Sequence, residues 1–340
     1  MKLLIVTQKV DENDDVLGFF HSWLLEFAKQ VDRIEVICLW EGEHSLPSNV
    51  RVHSLGKERG AGKIRQFFTF YLLLFTLHRS YSAIFVHMNP IYLVLAGWYW
   101  RLFGRKTVLW YTHKNVDFKL KGAHIFANVI ATASKESFTL RSNKVVVLGH
   151  GIDGKMFTRP GGYVRKHNGI LLLLVGRITP IKNQILAVEV LYEIRARRID
   201  ARLQLLGAPI SSSDYDYLKK VETKARDLEL EKFVEFVGSI PNKETPKYYW
   251  EADVSLNPLP TGGLDKVVLE SVVAGTPIVT TNKSFASLGI SGIRVVEKSL
   301  DSITESVVSI LNNNVVTDSR KILDDFSVQS IVNKIVRLYE

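Results

Sequence analysis

Residues 257–281 read NPLPTGGLDKVVLESVVAGTPIVTT. The stretch predicts a loop, a helix, a tight turn and a strand, in that order. Gly262 and Gly263 leave the backbone unhindered ahead of the helix. From Leu264 to Ala274 the run is apolar except for Asp265, Lys266, Glu270 and Ser271. Gly275 suits the left-handed residue that ends a helix, and Pro277 forbids its continuation. Ile278-Val279-Thr280-Thr281 is β-branched throughout and predicts a buried strand. A helix apolar on most faces is a buried helix. A carboxylate within it, Glu270, costs free energy unless something donates to it. That donor is either a protein group or the hydroxyls of a ligand. The preceding glycines leave N–H groups at the positive end of the helix, where a phosphate is stabilised.

Strand and helix signals alternate upstream of this stretch. KLLIVT (2–7) predicts a first strand rather than a signal peptide, followed by an acidic loop to Gly18 and a helix over about 19–30. Strands follow at 34–39, 83–87, 107–111 and 144–148, with helices between. The segment 125–133 reads equally as a helix end or a strand. Arg159–Asn168, RPGGYVRKHN, is polar and reads as an interdomain linker. A second alternating series starts with ILLLLVG at 170 and runs through ARLQLLG, FVEFVG and DVSLNP. This pattern predicts α/β architecture with parallel sheets. Ser327–Tyr339 predicts an amphipathic helix. Two stretches sit where open α/β sheets bind ligands, after a strand's C-terminal end. VGRITPIKN places Arg177 and Lys182 at a helix start, a pairing that neutralises a diphosphate but that elsewhere is often plain surface charge. WYTHK places His113 after a strand, facing a cleft or serving as a structural histidine.

GGLDKVVLESVVAGTPIV (262–279) resembles the donor-binding motif of family 4 retaining glycosyltransferases, of the two-domain GT-B class. The resemblance implies a GT-B fold, two Rossmann-like doubly wound domains facing a cleft. Residues 1–160 would bind the acceptor and 161–325 the nucleotide sugar, with 326–340 a helix crossing back to the first domain. Glu270 matches the residue that binds the nucleotide ribose. Arg177 and Lys182 match a G-R-x-x-x-x-K pattern that binds the donor diphosphate and supports the departing nucleotide. The family often has a second Glu eight residues before the first. Here that position is Gly262, so Asp265 or the backbone of Gly262, Gly263 and Leu264 takes the sugar and phosphate contacts. His113 matches a histidine near the acceptor and the donor sugar, and Gly18 matches a glycine of the first strand–helix loop that contacts the donor or acceptor. His150-Gly151-Ile152-Asp153 resembles the turn that closes the first domain.

The implied reaction is metal-independent, retaining hexosyl transfer from a UDP- or GDP-linked donor to a glycan or polyprenyl-linked acceptor. Assembly of cell-surface glycoconjugates or polysaccharides would be its setting. A sugar-nucleotide epimerase shares the layout, and Gly262 in place of Glu favours a non-catalytic nucleotide-sugar-binding scaffold.

Composition supports a globular chain of two domains at 340 residues. One cysteine, Cys38, leaves no disulfide framework and predicts a reducing, cytoplasmic compartment. Asp214-Tyr215-Asp216 follows a serine run and opens a polar helix, which reads as N-capping rather than metal binding. The acidic DENDD at 11–15 lacks a calcium-loop pattern. Of the net charge of +9, residues 1–160 carry +8. Arg51, Lys57, Arg59, Lys63 and Arg65 precede FFTFYLLLFTLH. That juxtaposition suits peripheral contact with an anionic membrane on its cytoplasmic face, or a core helix with a solvated basic lead-in. No nucleic-acid module is present.

Overall fold

The computed structural model describes residues 1–340, which divide into two compact units. The first contains β1 (Lys2–Val10), α1 (Phe19–Ala28), β2 (Arg33–Glu41), β3 (Val50–Ser54), α2 (Lys63–Thr76) and β4 (Ala83–His87). It continues with α3 (Ile91–Leu102), β5 (Lys106–Trp110), α4 (Phe118–Phe126), β6 (Val129–Thr132) and β7 (Val145–Val147). Its seven strands are ordered β3-β2-β1-β4-β5-β6-β7, with every pair parallel.

Period-two alternation along β1 divides the side chains between two layers. Leu3 and Ile5 face a cluster built on Phe20, Trp23 and Phe27 of α1. Leu4 and Val6 face the opposite cluster, with Phe70 and Leu74 of α2, Leu93 and Trp100 of α3, and Leu120 of α4.

The second unit holds α5 (Gly154–Phe157), β8 (Ile170–Val175), α6 (Gln184–Ala196), β9 (Ala201–Leu206), α7 (Ser212–Asp227) and β10 (Val234–Gly238). After these come α8 (Thr245–Glu251), β11 (Val254–Asn257), α9 (Lys266–Val273), β12 (Ile278–Thr280), β13 (Ile293–Val295) and α10 (Leu300–Asn313). Six parallel strands run β10-β9-β8-β11-β12-β13 over a core that includes Leu172, Leu203, Val221, Val279 and Val307. Next, α11 (Arg320–Phe326) leads to α12 (Val328–Arg337). Residues 325–340 belong to the first unit, where Val328, Ile331, Val332 and Ile335 complete the α1 cluster.

The division between units falls at Asp153–Gly154 and at Asp324–Asp325 rather than at 160/161 and 325/326, and Pro241–Lys243 also belongs to the first unit. Arg159–Asn168, expected to be a linker, is tied onto the second unit. Arg165 Nη1 lies 2.6 Å from Asp253 Oδ1, His167 Nε2 lies 2.7 Å from the Glu251 carbonyl, and the Lys166 amide donates to Glu251 Oε2 at 2.9 Å. The polar composition that suggested a linker supplies the donors that fasten the segment down. Burial alone would raise the Glu251 carboxyl, but the Tyr163 hydroxyl and Lys166 amide outweigh it and hold it below the ordinary range.

Candidate active site

Strand order reverses between β8 and β11 in the second unit, because the chain builds one side of the sheet from β8 outward and then returns to its other edge. Loops leaving the C-terminal ends of these two strands diverge and leave a crevice, where open α/β sheets take ligands. After β8 comes Gly176-Arg177…Lys182, and after β11 comes the 258–265 segment with α9. The two motifs read separately in the sequence therefore meet at the switch point.

They are joined by an ion pair, Lys182 Nζ to Asp265 Oδ2 at 2.6 Å, with both side chains about four-fifths buried. Gly176 makes that reach possible. It sits at φ +144°, and a Cβ there would lie 2.8 Å from Lys182 Cε, so the lysine stem passes over bare backbone. The Asp265 Oδ2 atom also accepts from Asn257 Nδ2 at 3.1 Å, and Asn257 Oδ1 in turn accepts from Thr280 Oγ1 at 2.8 Å. Asp265, expected at the sugar, thus anchors Lys182 through this oxygen. Arg177 is exposed at the end of β8, its carbonyl held by the buried Gln184 Nε2 at 2.9 Å.

Glu270 lies one turn into α9 and is 3% exposed. Tyr249, fully buried, shares its hydroxyl proton between the Val267 carbonyl at 3.3 Å and Glu270 Oε2 at 3.5 Å, the latter too long for a strong hydrogen bond. Burial and the Glu270 charge push the Tyr249 phenol well up, so it stays a donor. Lys266 Nζ stands 3.2 Å from Oε1, yet that oxygen lacks a hydrogen bond of good geometry. A buried carboxylate with one weak donor and one displaced cation retains acceptor capacity for hydroxyls.

Part of the 262–264 backbone is already engaged within the protein. Gly262 N–H does not await an anion, because it donates to Asn282 Oδ1 at 3.2 Å. Asn282 is buried, also donates from Nδ2 to the Gly263 carbonyl at 2.9 Å, and accepts from Ser284 N at 3.1 Å. Ser284 Oγ donates to the Gly262 carbonyl at 2.5 Å. The loop is thereby pinned by side chains that follow β12. Asn282, Asn257, Thr280 and Tyr249 went unread as site residues. The one available signal was a set of polar residues (Thr280, Thr281, Asn282) closing an apolar strand.

Asp214 behaves as the sequence suggests. It accepts from Ser211 N at 3.0 Å while Ser211 Oγ accepts from Asp214 N at 3.2 Å, a capping box on α7. These bonds from Ser211, with others, lower its pKa from 3.8 to about 2.

In the first unit the corresponding reversal lies between β1 and β4. Gly18 caps α1 there with φ −54°; a Cβ would meet the Asp14 carbonyl oxygen at 2.4 Å. Its glycine identity is accounted for by that close approach. His113 is exposed beyond β5, edge-on to the Tyr111 ring at 5.9 Å. His87, at the end of β4, is buried, stacked on Phe20 at 4.0 Å and bonded through Nδ1 to Thr7 Oγ1 at 3.1 Å.

Two parallel sheets with helices on their faces, each reversing at a switch point, are the two Rossmann-like units of the GT-B fold. Residues 169–313, which cover most of the second unit, match the family described as glycosyl transferases group 1. A solved structure of Anabaena Alr3699/HepE in complex with UDP superposes with a TM-score of 0.77 at 18% identity, covering 99% of each chain. Among curated proteins, the chain is 29% identical over 152 residues to a GDP-mannose-dependent alpha-(1-6)-phosphatidylinositol monomannoside mannosyltransferase of Mycolicibacterium smegmatis, covering 42% of this chain and 38% of that one. It is also 29% identical over 168 residues to a D-inositol 3-phosphate glycosyltransferase of Frankia alni, covering 45% and 41% respectively. The match thus spans about two fifths of each relative's length.

Proposed function

We propose that the protein is a retaining glycosyltransferase of the family 4 type. It moves a hexose from a UDP- or GDP-linked donor to a glycan or polyprenyl-linked acceptor, with no metal required. The observation that carries this reading is the buried Glu270 carboxylate, with acceptor capacity to spare, on the same loop–helix unit as Asp265, which holds Lys182. Glu270 accepts from the ribose hydroxyls. Lys182 and the exposed Arg177 neutralise the diphosphate, and Lys182 keeps its position through Asp265 when no phosphate is present. The names of the relatives, one GDP-mannose-dependent, and the UDP complex of Alr3699/HepE support a nucleotide-sugar donor.

In the reaction the bond from the anomeric carbon to the diphosphate oxygen breaks. The acceptor oxygen bonds to that carbon from the same face, and its proton passes to the departing diphosphate. Charge developing on the diphosphate is stabilised by Lys182 and Arg177, which is electrostatic catalysis. His113 serves the acceptor side.

A thermal-shift panel with UDP, GDP, ADP, CMP and their sugar conjugates, without metal, tests the donor site. A true donor nucleotide stabilises by about 2.7 kcal/mol at a hundredfold excess over its dissociation constant. The expected result is a shift with one nucleotide that disappears in Glu270→Gln and Lys182→Ala. No shift with any of them overturns the donor site. Conversion of the donor with no acceptor present would instead indicate an epimerase. Binding without transfer or hydrolysis would indicate a scaffold, the reading that Gly262 favours.

A further inference from the structure

In the first unit α2, α3 and α4 form one layer on the sheet, and its outward side is apolar where an ordinary helical layer is polar. On α2, Phe70 and Leu74 point into the core, while Ile64, Phe68, Leu72 and Phe75, spaced by four, four and three residues, make an outer stripe. Phe68 is 66% exposed and Leu72 63% exposed. Helix α2 touches α3 through Phe75 against the buried Tyr99 at 5.4 Å, and α3 itself exposes Leu102 by 71% at its C-terminal end. Of the chain's twenty exposed large hydrophobic residues, ten fall between 64 and 125. An apolar side this extensive marks a contact surface.

Charge identifies the occupant. Residues 57–125 hold eleven Lys and Arg against two carboxylates, Glu58 and Asp117, so this segment carries the whole net charge of +9 and the rest of the chain is neutral. Glu58 is engaged by Ser54 at 2.8 Å and Arg59 at 3.1 Å, and Asp117 caps α4 by accepting from Leu120 N at 2.8 Å. Lys63 and Arg65 stand exposed at the start of the stripe. A protein partner needs no such uniform sign. A surface that is both apolar and anionic, the headgroup region of an acidic phospholipid bilayer, matches both properties. No helix is long and apolar enough to cross a membrane, so the contact lies in the bilayer plane.

We propose that the outward side of α2 and α3 docks the first unit onto anionic phospholipid membranes, with Phe68, Leu72 and Leu102 entering the acyl boundary and Lys63 and Arg65 meeting the headgroups. This inference does not rest on the sugar-transfer reading. The test is flotation of the purified chain with phosphatidylcholine vesicles, with and without phosphatidylglycerol, at low and high salt. Binding is expected only with phosphatidylglycerol and is weakened by salt. Lys63→Gln with Arg65→Gln should weaken it roughly 25-fold, about fivefold per cation. Phe68→Ser with Leu72→Ser should weaken it roughly tenfold or more. All four positions are exposed, so an unchanged melting temperature checks folding. No binding to acidic vesicles at low salt, equal binding to neutral ones, or full binding by both variants would overturn the proposal. So would a dimer, seen by sedimentation, that the Phe68/Leu72 variant dissolves, because a second copy would then cover the stripe.

Discussion

Gly207 follows β9 at φ +138°, and a Cβ there would stand 2.2 Å from the Gly176 carbonyl oxygen. The two glycines let the loops after β8 and β9 run against each other, which sets the floor beneath Lys182. Gly207→Ala combines backbone strain with overpacking and should cost about 3 kcal/mol in urea denaturation. Gly161→Ala, with nothing within 4 Å, should be neutral in the same measurement. Asp214 gives a pH-dependent prediction. Its folded pKa of about 2 lies below the ordinary 3.8, so its contribution is fully present above pH 3.8 and is lost as pH falls through about 2. Melting curves of the parent and Asp214→Asn should therefore differ at pH 5 and converge toward pH 2. A gap that stays constant would show that the carboxylate's charge is not what stabilises the cap.

Among elements, α12 shows best what the sequence discloses. Its amphipathic spacing predicts a helix over 327–339, and the structure has it at Val328–Arg337. Nothing in that spacing says which core receives Val328, Ile331, Val332 and Ile335; only the resemblance to GT-B enzymes suggested the first unit. Ile331 is fully buried in the α1 cluster, so Ile331→Ala should cost about 3 kcal/mol by leaving a cavity. The decisive reading is that hydrogen exchange should rise in α1 and not in α6, 155 or more residues further along the chain.

Other elements were readable but passed over. Ser299 caps α10 by accepting from Ser302 N at 3.2 Å, and Ile303, Val307 and Ile310 recur at helical spacing. Edge strands β3 and β13, at five and three residues, carry too little pattern to stand out. For α2, FFTFYLLLFTLH looks uniformly apolar in one dimension. Only the fold separates the two residues it buries from the stripe it exposes.

At the scale of the whole molecule, parallel strands and helix alternation were legible because each β-α unit is local. Strand order was not, since a reversal at β1/β4 or β8/β11 leaves no mark on either strand. The site inherits this split. Motif spacing singles out Arg177, Lys182 and Glu270 as candidates, whereas the Lys182–Asp265 pair and the Asn282 clasp depend on loops that meet only after the sheet has formed.

The return of α12 has a consequence for how the protein is made. Residues 154–324, which contain the whole of the second unit, leave the ribosome before 328–337 do. At roughly 5–20 residues per second, the earlier-made unit waits about 10–35 s for its last core side chains. During that interval Phe20, Trp23 and Phe27 lack the cover that Ile331 and Ile335 will provide. The order of birth and the order of completion are thus reversed: the half synthesised first finishes last.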